Sequence, residues 1–479
     1  MLKRTILWYM TFWGFAMNYM LRMNLNIAIV SMVRSVPKIE NTTAPVSECY
    51  DTLDPPSKKF LNSSISKILK PVDNDNTFEW DENLQNEVLG AFYWLHTVLQ
   101  IPGGILAQKY SAAFIFGVTN GIVALLTCII PYTTQCHYKV LVTIRIIQGF
   151  IAGASWPAMH ALTGQWVPPN ERSQFVSSYW GCSFGTALTY IVCGYIINWF
   201  GWELVFYITG AIGLLWYACW TWLIYDSPAK HPSIKDKERM HIEKSLGTTY
   251  LKNQTSSIPW KSMCISVPLI SNIVSQIGST WGMYTLSIQA PTYFRFVLGF
   301  DLKQVGIWTG IPHLFSWLFS LVCGYGCDFL IKSNMLSTTN VRKLACIFCN
   351  IVQGLFILGL AYSGCSYTLA IINLVFAVAM NGAMSSGPLA GIVDLAPNYA
   401  GIMQGIGGVI SMGATSVSPA IVGFFTYQRQ TIGQWQKVFI LSTSLSWITG
   451  LIYLVFGSSN LQKWNSKEKK KKSETATML

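Results

Sequence analysis

The sequence predicts an all-α, polytopic membrane protein of twelve transmembrane helices, arranged as two six-helix pseudo-repeats. Three observations carry that prediction. Charged residues make up 11% of the 479, against about 25% in a soluble domain. Apolar runs such as Ser111–Tyr132, Val205–Tyr225 and Val438–Phe456 each supply the roughly 20 residues that a helix needs to cross a hydrocarbon core. The runs are continuous, whereas a membrane β-barrel alternates polarity over segments of about ten residues.

Taken in order, spans are expected at 6–33, 84–107, 111–132, 138–163, 174–197 and 203–225. Six more are expected at 264–290, 303–330, 344–363, 367–388, 401–425 and 437–457. The first is too long for a cleavable leader and is expected to remain as a span. Residues 34–83 are polar and rich in Ser, Asn, Asp and Pro, as a solvated loop requires. They hold the sequons Asn41-Thr-Thr and Asn62-Ser-Ser, so glycosylation at Asn41 and Asn62 is expected on the extracellular or lumenal side. The domain reading is an N-terminal bundle over 1–225, a cytoplasmic linker over 226–261, a C-terminal bundle over 262–457 and a basic cytoplasmic tail over 458–479. A third sequon, Asn253-Gln-Thr, falls in the linker, where the glycosylation machinery cannot reach it.

The net charge of +12 could suggest nucleic acid, but its distribution argues for a bilayer and no nucleic-acid partner. Of the 33 Lys and Arg, 20 fall in segments that a cytoplasmic N-terminus places inside. These include seven in Lys230–Lys261 and six in Lys463–Lys472. Short segments on the other side hold Lys139, Arg295, Lys303, Arg429 and Lys437. This is the positive-inside bias, and it sets the orientation. Of the 12 cysteines, Cys49, Cys136 and Cys365 are expected on the oxidising side, which allows at most one disulfide there.

Faint repeats support two halves. Gly104-x-x-x-Gln108 echoes Gly324-x-x-x-Asp328, Trp166-Val-Pro-Pro-Asn-Glu echoes Asp394-Leu-Ala-Pro-Asn-Tyr, and Pro157 echoes Pro388, at offsets of 220 to 231 residues. Near-constant offsets suggest the parallel duplication of one large transporter class.

Ionisable side chains inside the bilayer are costly and therefore informative. Arg22 lies deep in the first span and Arg145 within the fourth, while none of the 21 acidic residues falls mid-span. The uncompensated positive charge calls for a ligand anion, which a guanidinium can grip in bidentate fashion. Asn18, Arg22 and Asn26 follow at four-residue spacing, with Tyr19 three before the arginine, so one helix face is polar and should look into a cavity. Asn24 faces elsewhere and suits interhelical bonding. His96, His160 and His313 lack metal-ligand spacing and read first as hydrogen-bonded core residues. The pairs Cys346-x-x-Cys349 and Cys323-x-x-x-Cys327 read as packing residues, and Gly149-x-x-x-Gly153 and Gly401-x-x-x-Gly405 as close helix contacts. Neither a cofactor motif nor an enzyme's nucleophile–base pair is recognised.

These residues lie in a wider set of motifs: Tyr19-Met-Leu-Arg22-Met-Asn-Leu-Asn-Ile-Ala, Gln100-Ile-Pro-Gly-Gly, Arg145-Ile-Ile-Gln-Gly and Trp156-Pro-Ala-Met-His160. Further matches are Pro168-Pro-Asn-Glu-Arg-Ser173, Leu336-Ser-Thr-Thr-Asn-Val-Arg-Lys343 and Asp394-Leu-Ala-Pro-Asn-Tyr-Ala-Gly401. By these the chain resembles the anion and sodium–phosphate cotransporter family of the major facilitator superfamily, which includes sialin and vesicular glutamate transporters. Asp226-Ser-Pro-Ala-Lys-His-Pro232 makes it look most like insect members described as inorganic phosphate cotransporters. The resemblance implies a major facilitator fold and a central anion site, with Arg22, Arg145 and Tyr19 at substrate-binding positions. Trp281 and Tyr284 sit one turn apart in the seventh span, and Gln276 and Tyr284 are expected on the opposite wall. The chain departs from relatives at Gln148 and Ala152, where some carry glutamates, and at Leu89, where the glutamate carriers have a histidine. It departs again at Gln276 and Ser279, which replace a basic residue, and at Gly391 and Ile392, which replace an Asn-His pair.

The expected function is secondary active transport of small anions, inorganic phosphate or organic carboxylates, by sodium-coupled symport. Asn18, Asn24, Asn26, His96 and His160 are the candidate ion-coupling residues for sodium or a proton. The rivals are a non-transporting membrane sensor on the same fold and a proton-coupled, sialin-like carrier of organic anions. The plasma membrane is the expected location.

Overall fold

The computed structural model describes residues 2–33, 49, 78–80, 82–246, 258–300, 302–426 and 431–465. Asn41, Asn62 and Asn253, with most of the 34–83 loop and the lysine-rich end of the tail, lie outside the described residues.

The described residues form helices and one isolated bridge, Val33 to Phe78. Nine stretches are long and apolar enough to cross a bilayer. They are α3 (Ala112–Cys136), α4 (Tyr138–Trp166), α5 (Pro169–Ile197), α6 (Trp202–Leu223), α8 (Val305–Lys332), α9 (Thr338–Ala361), α10 (Tyr367–Leu395), α11 (Pro397–Thr426) and α12 (Ile432–Phe456). The remaining three are α1 (Lys3–Met32), α2 (Glu82–Trp94 and Gln100–Lys109) and α7 (Val267–Phe296). These carry the polar residues Asn18, Arg22, Gln100 and Gln276, which lower their hydropathy and prove to lie at or near a cavity. Together the described residues accommodate all twelve expected crossings.

Several boundaries differ from the sequence expectation. The fifth span starts at Pro169 and the tenth runs to Leu395, because helices continue through polar end turns that a hydropathy pattern discards. The second span is broken at residues 95–99. Pro102 has no N–H for the carbonyl one turn back, and the His96 ring engages the Gly149 carbonyl at 3.0 Å.

The polarity is that of a protein in lipid. Phe424, Trp222, Val322 and Leu215 are more than two-thirds exposed, which water would penalise and hydrocarbon accepts. Polar side chains turn inward and pair across helices, as Asn24 does with Thr209 at 3.0 Å and Trp281 with Ser442 at 3.2 Å. Among the first six spans α1 packs on α5, α3 on α6 and α2 on α4; among the last six α7 packs on α12, α8 on α10 and α9 on α12. The two groups meet where α2 and α4 lie against α11, and where α5 lies against α8.

Small residues bring that seam together. A Cβ on Gly104 would lie 2.6 Å from the Gly401 carbonyl oxygen, and one on Gly164 would lie 2.6 Å from that of Pro397. Only glycine allows backbones this close. All four positions lie toward the ends that the positive-inside count assigns to the cytoplasm. In the linker, the helix Asp236–Leu246 places the Glu238 carboxylate against the backbone N–H groups of Lys3 and Arg4, each at 3.1 Å. A carboxylate there satisfies donors that α1 leaves unpaired and complements its dipole.

At the opposite ends, Cys49 and Cys365 form a disulfide. The Cys49 N–H donates to the Val297 carbonyl at 3.3 Å, and the Tyr367 hydroxyl donates to the Cys49 carbonyl at 3.3 Å. Two of the three cysteines expected on the oxidising side are thus paired, and Cys136 is free.

Candidate functional site

Between the two groups of spans lies a cavity of about 330 Å³. Tyr19, Asn26, Tyr93, His96 and Tyr190 line it from the first six spans, and Gln276, Tyr284, His313, Asn381 and Gln404 from the last six. No Asp, Glu, Lys or Arg lines it among the described residues.

Arg22 stands immediately behind this wall and is 3% exposed. Its Nε donates to the Tyr93 hydroxyl at 3.1 Å. Its guanidinium carbon sits 4.3 Å from the Tyr93 ring centroid and 5.2 Å from those of Tyr19 and Phe92. Ring faces attract the cation without neutralising it. The Nη2 atom is buried and has no hydrogen-bond partner among the described residues. Arg145 lies one layer deeper. Its Nη2 donates to the Arg22 carbonyl at 3.0 Å and its Nη1 to Gln148 Oε1 at 3.2 Å. Gln148 in turn donates to Thr127 at 3.0 Å. The Arg145 guanidinium carbon is 5.0 Å from the Phe92 ring centroid, so one ring serves both cations.

The structure therefore brings Tyr19, Gln276 and Tyr284 to the cavity surface, with the Tyr19 and Tyr284 hydroxyls 3.3 Å apart across the two groups. Arg22 is one side chain removed, and Arg145 braces the α1 backbone behind it. Of the candidate ion-coupling residues, Asn26 and His96 line the cavity. Asn18 instead donates to Asn120 at 2.7 Å, Asn24 to Thr209, and the His160 ring meets the Trp156 carbonyl at 3.2 Å, all among the first six spans. Trp281 packs against α12, while Tyr284, one turn on, faces the cavity. Tyr93, the nearest neighbour of Arg22, has no sequence signal beyond being an aromatic in an apolar run.

The cavity is closed toward the ends that the positive-inside count assigns to the cytoplasm. Asp394 of α10 accepts from Arg172 of α5 at 2.7 Å and from Arg342 of α9 at 2.8 Å, and all three are buried. Arg342 also donates to Ser173 Oγ at 2.6 Å. Asp328 of α8 accepts the backbone N–H groups of Ser173 and Gln174 at 3.1 and 2.8 Å. Gln108, its echo in the first repeat, donates to the Asn398 carbonyl at 3.0 Å. The duplicated motifs thus meet the opposite half in both directions. Arg172 and Arg342 stand in the sequence only as basic members of two motifs, and the bonds of Arg172 to Asp394 and of Arg342 to Ser173 across the seam are legible only in three dimensions.

A twelve-span helical protein with a central cavity shut at one end by contacts between its two groups of spans is a secondary transporter by class. The sequence profile of the Major Facilitator Superfamily matches residues 11–339. Vesicular glutamate transporter 1 of Xenopus tropicalis is 32% identical over 470 residues, covering 97% of this chain and 77% of that protein. Human sialin is 32% identical over 459 residues, covering 95% and 89%. The chain belongs to the major facilitator superfamily and, within it, to the anion and phosphate cotransporter family. The fold agrees with the E. coli fucose:proton symporter, at a TM-score of 0.61, 12% identity and coverage of 93% and 98%. It agrees equally with a proton:xylose symporter, at 0.63, 14% identity and coverage of 95% and 97%.

Proposed function

We propose that this chain carries small anions across the membrane by alternating access, with one central site between an N-terminal bundle of residues 1–225 and a C-terminal bundle of 262–457. The observation that carries this reading is Arg22, a buried cation with an unpartnered Nη2 beside a cavity whose described lining holds no carboxylate. An anion entering from the outer side gains a charge-assisted bond in a poorly screened site. Tyr19 and Tyr93 guard the approach and offer hydroxyl donors. Arg145 acts on the site through its bond to the Arg22 carbonyl. The relatives named for glutamate and sialin support an anionic cargo.

Sodium symport is the proposed coupling. Importing an anion against an inside-negative potential costs roughly 2.3 kcal/mol per charge per 100 mV, and co-transported cations offset it. The described lining has no carboxylate to relay a proton, while Asn26, Ser183 and Thr186 place oxygen ligands on it. A proton-coupled carrier is the second reading, favoured by His96 and His313, which both line the cavity. The plasma-membrane expectation draws no support from relatives named for vesicles, and surface biotinylation decides it.

The test is uptake of labelled phosphate and carboxylates into proteoliposomes, with sodium replaced by choline and then with an external acid step. Loss of uptake in choline supports sodium symport. Undiminished uptake in choline with stimulation by acid assigns the coupling to the histidines, and absence of concentrative uptake leaves a sensor.

A further inference from the structure

We propose that the C-terminal wall of the cavity is a charge-free hydrogen-bond-acceptor subsite that selects hydroxylated organic anions over inorganic phosphate and over carboxylates with an apolar body. The inference rests on the anion-carrier reading and narrows its substrate class.

The subsite is built from α7, α8, α10 and α11. Asn381, fully buried, spends its Nδ2 on the Ser279 carbonyl at 2.9 Å and on Gln353 Oε1 at 3.3 Å. A backbone carbonyl cannot donate, so the amide is held in this orientation and its Oδ1 is an obligatory acceptor. That oxygen is buried and unpartnered among the described residues. Gln276 is held the same way: its Nε2 donates to Asn272 Oδ1 at 3.0 Å, leaving its Oε1 to accept. Gln404 Oε1 and His313 Nδ1 are likewise buried without partners. All four side chains line the one cavity, and each is at least nine-tenths buried.

Buried polar atoms are nearly always paired, and leaving them unpaired is costly. Here several on one wall await a partner, and the two whose orientation is set require a donor. Arg22, just behind the other wall, requires an acceptor. The cargo that satisfies both is anionic at one end and bears hydrogen-bond donors at the other. An ammonium donor would need a counter-charge, and no described carboxylate lines the wall. Hydroxyl groups need none. Inorganic phosphate carries its charge and its one or two hydroxyls on a single centre, so it offers few donors to this wall once its oxygens meet Arg22.

The experiment compares three anions at equal concentration by the shift they cause in thermal unfolding of the purified protein. The anions are gluconate, hexanoate (the same six carbons and charge without hydroxyls) and inorganic phosphate. Gluconate is expected to stabilise at a concentration at least about tenfold lower than either of the others, because a site built for a hydroxyl strongly rejects its absence. Gln404→Met keeps the side chain's shape and breaks no internal bond, and it should erode that preference without moving the ligand-free midpoint. Asn381→Leu should erode it further, and its own midpoint shows whether the fold survives. Hexanoate or phosphate binding as well as gluconate overturns the proposal, as does an unchanged preference in Gln404→Met together with a folded Asn381→Leu. Phosphate binding that alone requires Arg22 overturns this subsite and leaves the anion carrier standing. If none of the three binds, both readings fail.

Discussion

Replacing Asp394 with Asn should shift this protein from its cytoplasm-closed toward its cytoplasm-open state. The carboxylate accepts from two buried guanidiniums, at 2.7 Å from Arg172 and 2.8 Å from Arg342. Removing one partner of a buried pair costs roughly 3–5 kcal/mol, because the other charge is left uncompensated. The Arg342 contact lies within the last six spans and persists when the halves part, so it does not bias the equilibrium. The Arg172 contact crosses the seam and does. Asparagine still accepts a neutral bond, and a charge-assisted bond is about twice as strong as a neutral one. About half the cost, roughly 1.5–2.5 kcal/mol, therefore falls on the closed state. At about 1.4 kcal/mol per tenfold, this is a shift of about 10- to 70-fold. Hydrogen–deuterium exchange over 100–109 and 397–408, the segments sealed by Gly104, Gly401 and Asn398, reads the opening. Exchange should quicken in Asp394→Asn, and adding Arg172→Gln should change it little more, since the two share one interaction. Unchanged exchange in Asp394→Asn, with the protein folded, would refute the assignment of the seam to this carboxylate.

Three further outcomes are expected. Arg22→Ala should abolish anion uptake with membrane expression largely intact, and Arg22→Lys should fail as well, since a point ammonium cannot reproduce a planar fork; normal uptake by either at low substrate concentration removes Arg22 from the site. Gly104→Leu should open the cytoplasmic side in the same exchange assay while sparing the packing within each half, because its clash is with the Gly401 carbonyl across the seam. Gly278→Leu is its control: the clash with Thr449 lies within the last six spans, so it should lower the thermal midpoint instead. Peptide mapping after glycosidase treatment should find glycans at Asn41 and Asn62 and none at Asn253, and a glycan at Asn253 reverses the orientation.

The sequence exposes what is unusual for its surroundings and hides what is ordinary. Arg22 is conspicuous because an arginine in an apolar run is expensive, and Tyr19, Gln276 and Tyr284 follow from the motifs around it. Tyr93 is hidden because an aromatic in a span looks like any other apolar residue. Arg172, Arg342 and Asp394 are ordinary at helix ends, and only the docking of two distant repeats makes them one buried cluster. The shared face inferred for Asn18, Arg22 and Asn26 is partly lost to helix geometry. Each step of four residues overshoots a full turn by about 40°, so about 80° separates the two asparagines. That rotation sends Asn18 to Asn120 and Asn26 to the cavity. The break in α2 was available from Pro102, but a hydropathy window averages across it.

The bond between Cys49 and Cys365 joins residues 316 apart in sequence. Cys49 precedes the second span, and Cys365 precedes the tenth. A ribosome adding about 5–20 residues per second needs roughly 15–60 s to travel between them. Throughout that interval Cys49, expected on the oxidising side, has no Cys365 to pair with, while Cys136, expected on the same side, is delivered much earlier. Correct pairing therefore depends on Cys49 waiting for the later partner. A chain halted before the tenth span lacks Cys365, so any disulfide that Cys49 then makes, as with Cys136, is a non-native one.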